Sequence, residues 1–279
     1  MPEGWKKSLP KEYHIWVSKA LFKQSTITDK AALDMSKLNK LWWYRPQPLL
    51  RVHQRPTVNM YFTRCLLLSM PRKLSQTRLH CPRNDFDTHL LAGLYPHVRQ
   101  VLDLDGYYSL VTEHLECGKC KRKVIRWSQG FLDQLDVGHR KQFPIIITYN
   151  YACDMIVVRL LKQHGFRNSS TQLQKKLTEQ HKEQSLQYTA HYLTGCQTFV
   201  EASKQQLVLA PKFDEAPSLP TLPKAGCLLT VYCRDVLSRL EEVKAYITST
   251  FGSVLKIDST KKVKYYKQVK FISIVIFCL

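Results

Sequence analysis

Acidic residues are scarce in this sequence. Its 279 residues hold 22 Asp and Glu against 42 Lys and Arg, a net charge of +20. Charge that far from zero favours polyanionic partners, nucleic acid first and an anionic membrane surface second; a basic protein with neither partner is the bland alternative. Long apolar runs are missing too. Phe271 to Leu279 comes nearest and falls well short of the ~20 residues a helix needs to cross a bilayer, so no membrane span is expected. Met1 to Pro10 is polar and has no apolar h-region, which points away from secretion and toward a nuclear or cytoplasmic protein. In those compartments thiols stay reduced, so the nine cysteines are read as metal ligands or core residues rather than disulfides. No Gly-rich phosphate loop, paired-His metal motif or nucleophile–base pair is present. Cys153-Asp154 is not such a pair, and Cys153 reads as a buried core residue. Aromatics are not lacking: at 11% they mark a folding composition, long enough for one large or two modest domains. No internal repeat is visible.

What is present centres on His80 to Trp127. Val98 to Leu104 and Tyr107 to Leu115 read as two strands joined at Asp105-Gly106, a hairpin signal. The second strand runs into Cys117-Gly118-Lys119-Cys120, whose two-residue gap lets a tight knuckle aim two thiolates at one tetrahedral zinc. Val124, Ile125 and Trp127 then read as a third strand. A knuckle after a hairpin is the plan of a zinc ribbon. The first knuckle is incomplete, because Cys81 has no second Cys nearby, and 35 residues separate it from Cys117. Three thiolates need a fourth ligand in a structural site. His80, Asp85 and His89 are close enough in sequence, and His89 is preferred because a loop return would bring it inward. The alternative is a pair of cysteines in a turn without metal. Lys119, Lys121, Arg122, Lys123 and Arg126 lie on or just after the knuckle and are candidate phosphate contacts, with a solvated basic rim as the other reading.

Elsewhere the pattern is helical. Tyr13, Trp16, Val17, Ala20 and Leu21 predict an amphipathic helix over Lys11 to Lys23, and a second helix is expected around Ala31 to Trp42, before Pro46. Trp42, Trp43 and Tyr44 are core residues or, less commonly for such clusters, a base-stacking surface. Val58 to Met70 predicts one strand or a short helix. Phe131, Leu132 and Leu135 predict another short helix. Ile156, Val157, Leu160 and Leu161 predict a helix over Ala152 to Gln163, stopped by Gly165. Asn168, Ser169 and Ser170 offer N-caps for a following helix to about His181. Two helices and a short turn outline either a helix-turn-helix, with Lys175 and Lys176 toward DNA, or an ordinary αα-hairpin. Pro211, Pro217, Pro220 and Pro223 mark a linker or extended loop. Val236, Leu237, Leu240, Val243 and Ile247 predict a helix over Asp235 to Thr250, and Ser253 to Asp258 a buried strand ending in a carboxylate. That Asp258 is placed like the first acid of a two-metal nuclease core, but no Asp or Glu follows it.

The ordered motifs Trp42-Trp43-Tyr44-Arg45-Pro46-Gln47-Pro48, Tyr61-Phe62, Met70-Pro71-Arg72-Lys73, His80-Cys81-Pro82, Tyr107-Tyr108, Cys117-x-x-Cys120, Phe143-Pro144 and Asn168-Ser169-Ser170 resemble those of a transposon-associated family of uncharacterised proteins. The resemblance covers roughly Trp5 to Val263. It implies a cysteine-rich, zinc-ribbon-like domain of unknown function ahead of an RNase-H-like, DDE-type transposase region. Val254 to Asp258 would match the first strand and first Asp of the nuclease core. Family members commonly carry a Cys-x-x-Cys where this chain has Cys81-Pro82-Arg83-Asn84, so a ligand expected at Asn84 is absent. Lys264 to Leu279 reads as out-of-frame or intronic translation, as a truncated gene model or a decayed element would give.

These readings combine into one expectation. The fold is α+β: a small zinc-ribbon-like antiparallel sheet flanked by helices, then a helical segment and a truncated start of an RNase-H-like α/β domain. The boundaries are 1–70 for a helical and aromatic segment, 71–128 for the ribbon and 129–200 for the helical region. A Pro-rich linker follows at 201–224, the truncated RNase-H-like start at 225–263 and a divergent tail at 264–279. The function expected is a transposon-derived, DNA-binding protein with Zn2+ on Cys81, Cys117, Cys120 and His89. It would be catalytically inactive, with Asp258 vestigial. The alternative is a domesticated or decayed protein-interaction module with no role on DNA.

Overall fold

Buried positions run almost unbroken through Tyr107–Cys117, so this strand is covered on both faces rather than wet on one. The computed structural model describes residues 1–9, 11–24, 31–44, 54–62, 64–74, 76–81, 90–121, 123–125, 128–163, 169–205 and 212–240. In chain order the helices are α1 (Glu3–Ser8), α2 (Lys11–Leu21), α3 (Val58–Phe62), α4 (Pro71–Leu74), α5 (Gln129–Leu132), α6 (Val137–Lys141), α7 (Met155–Gln163), α8 (Ser170–Gln205) and α9 (Ala225–Ser238). The strands are β1 (Phe22–Gln24), β2 (Ala31–Leu33), β3 (Trp42–Trp43), β4 (Leu66–Ser69), β5 (Leu90–Leu94), β6 (Arg99–Leu102), β7 (Tyr107–Cys117), β8 (Lys123–Ile125), β9 (Ile145–Ile147) and β10 (Ala152–Asp154). They fall into two units, Met1–Pro144 with Glu179–Thr221, and Ile145–Thr178 with Leu222–Leu279.

In the first unit β7 changes partners along its length. Its first half lies between β4, parallel (Leu66↔Ser109), and β6, antiparallel (Leu102↔Tyr107). Its second half lies between β5 (Leu90↔Cys117) and β8 (His114↔Ile125), both antiparallel. One strand thus carries a curled sheet from the main core at one end to the cysteine knuckle at the other. The β6–β7 hairpin turns through Asp103 to Gly106, as the Asp-Gly pair predicts, with the Asp103 amide donating to the Gly106 carbonyl at 2.8 Å. Two buried polar side chains of β7 reach the neighbouring segment: Thr112 Oγ1 donates to the Ser69 carbonyl at 2.8 Å, and Glu113 Oε1 accepts from the Arg72 amide at 2.9 Å.

The core beneath this sheet is Trp5, Leu9, Tyr13, Val17, Leu21, Phe22, Leu38, Leu66, Leu68, Met70, Val98 and Val111. Tyr13, Val17 and Leu21 recur every four residues on α2, the stripe that its periodicity predicts. The short α1 is seated so closely that a Cβ on Gly4 would overlap the backbone carbonyl of Pro96, which cannot swing aside. Gly4→Ala is therefore expected to lower the urea unfolding midpoint, by about 1–3 kcal/mol of stability, although alanine is the better helix former. An unchanged midpoint would mean that α1 does not rest on Pro96.

Residues 179–205 of α8 pack on the same unit. Tyr188 meets Phe62 edge-on at 6.0 Å, Tyr192 meets Tyr61 at 5.5 Å, and Phe199 meets Phe213 at 6.2 Å. The Pro-rich stretch runs as an extended loop over this unit, with Tyr192 Oη donating to the Asp214 carbonyl at 2.8 Å and Tyr107 Oη to that of Thr221 at 3.0 Å. In the second unit β9 and β10 form a hairpin in the register Ala152↔Ile147, and α7 and α9 pack together beside it.

Three elements differ from expectation. The helix around Ala31 to Trp42 is instead β2, a turn and β3. The Asp34 carboxylate accepts from the Ser36 amide at 3.2 Å and its hydroxyl at 2.7 Å, a local turn that competes with helix, while Leu33 pairs with Phe22. The helix expected from Ala152 begins at Met155, because Ala152 to Asp154 are strand and Asp154 caps it through the Ile156 amide at 2.8 Å. The helix expected to end near His181 continues to Gln205, capped at its start by Ser169. The helix expected over Asp235 to Thr250 overlaps α9 (Ala225–Ser238) at its start, and the positions from 241 onward, Asp258 included, lie outside the described residues. Among the described residues the architecture is mixed α/β, a curled sheet and a small antiparallel one with helices around them, and no helix is long and apolar enough to cross a membrane.

Candidate metal centre

The knuckle that ends β7 is built by its backbone. The Lys121 amide donates to the Cys117 carbonyl at 2.9 Å, and the Cys120 amide points at Cys117 Sγ at 3.5 Å. Lys121 then takes a left-handed conformation, φ 54°, which turns the chain back into β8. This folds Cys117 and Cys120 onto one side of the turn. Cys81 joins them, and the three Sγ atoms lie within 4.8 Å of one another, with Cys81 and Cys120 at 3.7 Å. None of the three is in a disulfide.

That spacing fits a metal. Sulfurs held tetrahedrally at ~2.3 Å from one ion sit about 3.8 Å apart, the separation Cys81 and Cys120 already have. The surroundings suit a closed, structural site. Cys81 and Cys117 are buried with Leu79, Leu115, Phe131 and Leu135, while Cys120, Val124 and Leu132 pack half-buried against them. An apolar shell of this kind excludes water and raises the strength of ion–thiolate attraction. Among the described residues the cluster holds three donors; His89, the preferred fourth ligand, lies outside them.

Sequence reasoning missed how Cys81 is held. Gln134, one turn beyond Phe131, brackets the residue before it. Its Oε1 accepts from the His80 amide at 2.8 Å, and its Nε2 donates to the His80 carbonyl at 3.1 Å and to that of Gly130 at 2.9 Å. A polar residue between helix-spaced apolar ones carries no signal in the sequence for this role. Gln134→Ala should free the Cys81 segment and weaken zinc affinity about 10-fold, read by competition with a chromophoric chelator, since outer partners of ligands carry effects of that size. Unaltered affinity would mean that the segment needs no brace.

The basic candidates divide. Lys119, Lys121 and Lys123 are exposed on and beside the knuckle, with Lys123 Nζ 3.7 Å from Glu116 Oε2; Arg122 and Arg126 lie outside the described residues. Lys175 and Lys176 are exposed on α8, on the side away from buried Leu173 and Leu177. Gln174, beside them on α8, donates to the Pro223 carbonyl at 3.0 Å. Trp42 packs edge-on against Tyr108 at 5.0 Å and Trp43 packs on the main core, so the aromatic cluster serves packing, with only Tyr44 largely exposed. Cys153 is buried, as expected of a core cysteine.

No curated protein and no solved structure matches the chain. One family does, over residues 5 to 237, a span that takes in the three-cysteine cluster, the strand that ends in it and the long helix. The chain belongs to the family described as Domain of unknown function (DUF6729).

Proposed function

We propose that the chain is a transposon-derived DNA-binding protein. Its zinc-ribbon-like element would be held by structural zinc on Cys81, Cys117 and Cys120, with His89 as the fourth ligand, and it would have no catalytic activity of its own. The observation that carries the reading is the juxtaposition of three thiols at a hairpin end with exposed lysines on the same knuckle. A zinc knuckle fixes a short loop of backbone and basic side chains in place, and a fixed basic loop makes phosphate contacts at little ordering cost. The net charge of +20 supplies the long-range attraction. The transposon ancestry, the RNase-H-like segment at 225–263 and the vestigial role of Asp258 rest on the sequence resemblance. A nuclear site of action follows from the DNA reading.

The test is the salt dependence of duplex DNA binding. Lys119→Ala combined with Lys121→Asn, which tolerates the left-handed backbone, should weaken binding and reduce the slope of log K against log salt by about 2, near 0.9 for each phosphate no longer neutralised. An unchanged affinity and slope would remove the knuckle from the interface. Lys175→Ala with Lys176→Ala asks the same of α8. The second reading, a protein-interaction module, is favoured by Leu186 and Leu193, which stand 69% and 59% exposed seven residues apart on α8. A partner bound there need show no steep salt slope.

A further inference from the structure

One opening in the first unit is lined by aromatic rings and has a buried acceptor in its wall. The cavity holds about 280 Å3. Its aromatic lining includes Phe62, Tyr107, Tyr108 and Tyr188, and its polar lining includes Arg64, Asp105 and His181. His181 is 2% exposed. Its Nε2 lies 2.9 Å from the Asp103 carbonyl, which can only accept, so Nε2 carries the hydrogen and Nδ1 presents a lone pair. Nδ1 has no hydrogen-bond partner among the described residues. Buried acceptors in folded proteins are satisfied, by protein, water or ligand. Burial holds the ring below the usual imidazole range and the Arg64 charge pushes the same way, against the opposing pull of Asp103 and Asp105. The ring is therefore neutral at pH 7, an acceptor at Nδ1.

We propose that this cavity binds one unpaired nucleobase, stacked on the tyrosine wall, with an edge N–H donated to His181 Nδ1 and the adjoining phosphate held by Arg64. Base stacking on aromatic rings is strong and tolerant of sequence, and a polar edge facing a fixed acceptor adds selection. Asp105, which accepts from Gln180 Nε2 at 2.9 Å, is a second acceptor in the wall, so bases carrying an exocyclic amine fit better than uracil or thymine. The Arg64 guanidinium lies over the Tyr107 ring at 5.6 Å and donates to the Tyr107 carbonyl at 3.4 Å, and no carboxylate among the described residues pairs with it. A cation held on an aromatic face at the cavity wall, in no salt bridge among the described residues although Asp105 shares the wall, can take an anion. The site is separate from the knuckle lysines, so it stands or falls independently of the duplex reading above.

The experiment is calorimetric titration of the full chain with GMP, UMP, guanosine and inorganic phosphate. Binding of GMP at least 5-fold tighter than UMP, and tighter than guanosine, is expected. His181→Leu should weaken GMP at least 10-fold, and Arg64→Gln should erase the advantage of GMP over guanosine. If His181→Leu does not fold, Tyr188→Leu, which removes one stacking face, must weaken GMP by a similar factor. Lys119→Ala with Lys121→Asn should leave GMP binding unchanged. The proposal is overturned if no nucleotide binds at millimolar concentration, which would leave the cavity to water. It is overturned equally if inorganic phosphate binds as well as GMP, or if a folded His181→Leu or Tyr188→Leu protein binds GMP like the parent.

Discussion

Cys117→Ala is expected to abolish the proposed zinc binding and to loosen the end of β7, with a loss of about 3 kcal/mol or more in unfolding free energy and a zinc content near zero. The size follows from where the thiol sits. Cys117 is 3% exposed and closes β7 against β5, opposite Leu90, and its carbonyl and sulfur both anchor the knuckle. Removing one of the three described thiols leaves too few donors for a structural zinc site, so the proposed ion would be lost. Zinc-finger peptides draw roughly 10–16 kcal/mol of apparent binding energy from such sites at pH 7. This chain has a second core around Trp5, Val17 and Leu66 that does not include the cysteines, so partial rather than complete unfolding is expected. Hydrogen exchange should speed up at Leu115 and Val124 and stay slow at Val111 and Leu68. Cys153→Ala is the control: an equally buried cysteine whose loss should leave zinc content unchanged. Full zinc retention in Cys117→Ala would contradict the assignment of that residue as a ligand.

Trp5→Ala is expected to cost about 3–5 kcal/mol, the range for deleting a large aromatic from a close-packed core. Trp5 is fully buried, meets Phe22 edge-on at 5.4 Å, and donates from Nε1 to the Tyr95 carbonyl at 2.8 Å. It thereby ties α1 both to β1 and to the loop between β5 and β6. Alanine would open a cavity and leave the Tyr95 carbonyl without its donor, and Trp5→Phe should recover the packing but not the hydrogen bond. Urea denaturation followed at two wavelengths measures both. A loss below about 1 kcal/mol for Trp5→Ala, in the terms of core substitutions, would mean that the first helix is a dispensable flap.

The elements legible in the sequence are those whose signals are local. The Asp105-Gly106 turn sits between two apolar runs, and Cys117-x-x-Cys120 carries its own geometry, so residue order alone places the hairpin and the knuckle. The α2 stripe is legible because Tyr13, Val17 and Leu21 keep one spacing. The stretch from Ala31 reads wrongly as helix because helix propensity says nothing of Asp34, whose side chain makes a turn with Ser36 and ends the strand that precedes it. Ala152-Cys153-Asp154 continues the apolar character of α7, and a short apolar run does not tell strand from helix. The length of α8 is hidden because its buried stripe passes through His181, Tyr192 and Cys196 rather than aliphatic residues. Its polar remainder looks like the end of a helix.

The candidate site divides in the same way. Two of its three thiols announce themselves by spacing. Cys81 joins them through long-range contacts, Gln134 against His80 among them, which no window of sequence contains. The parallel alignment of β4 with β7 and the cavity walled by Arg64, Tyr107 and His181 are likewise products of tertiary structure. His181 in particular reads as one more helical residue until its ring is seen against the Asp103 carbonyl.

Cys81, Cys117 and Cys120 are the proposed ligands of one structural metal. Elemental analysis of the purified full chain, prepared without added metal or chelator, tests that assignment most directly. About one zinc per chain is expected for a single structural site, falling to background in Cys117→Ala. Less than half an equivalent in the parent protein, or the same content in parent and variant, would contradict it.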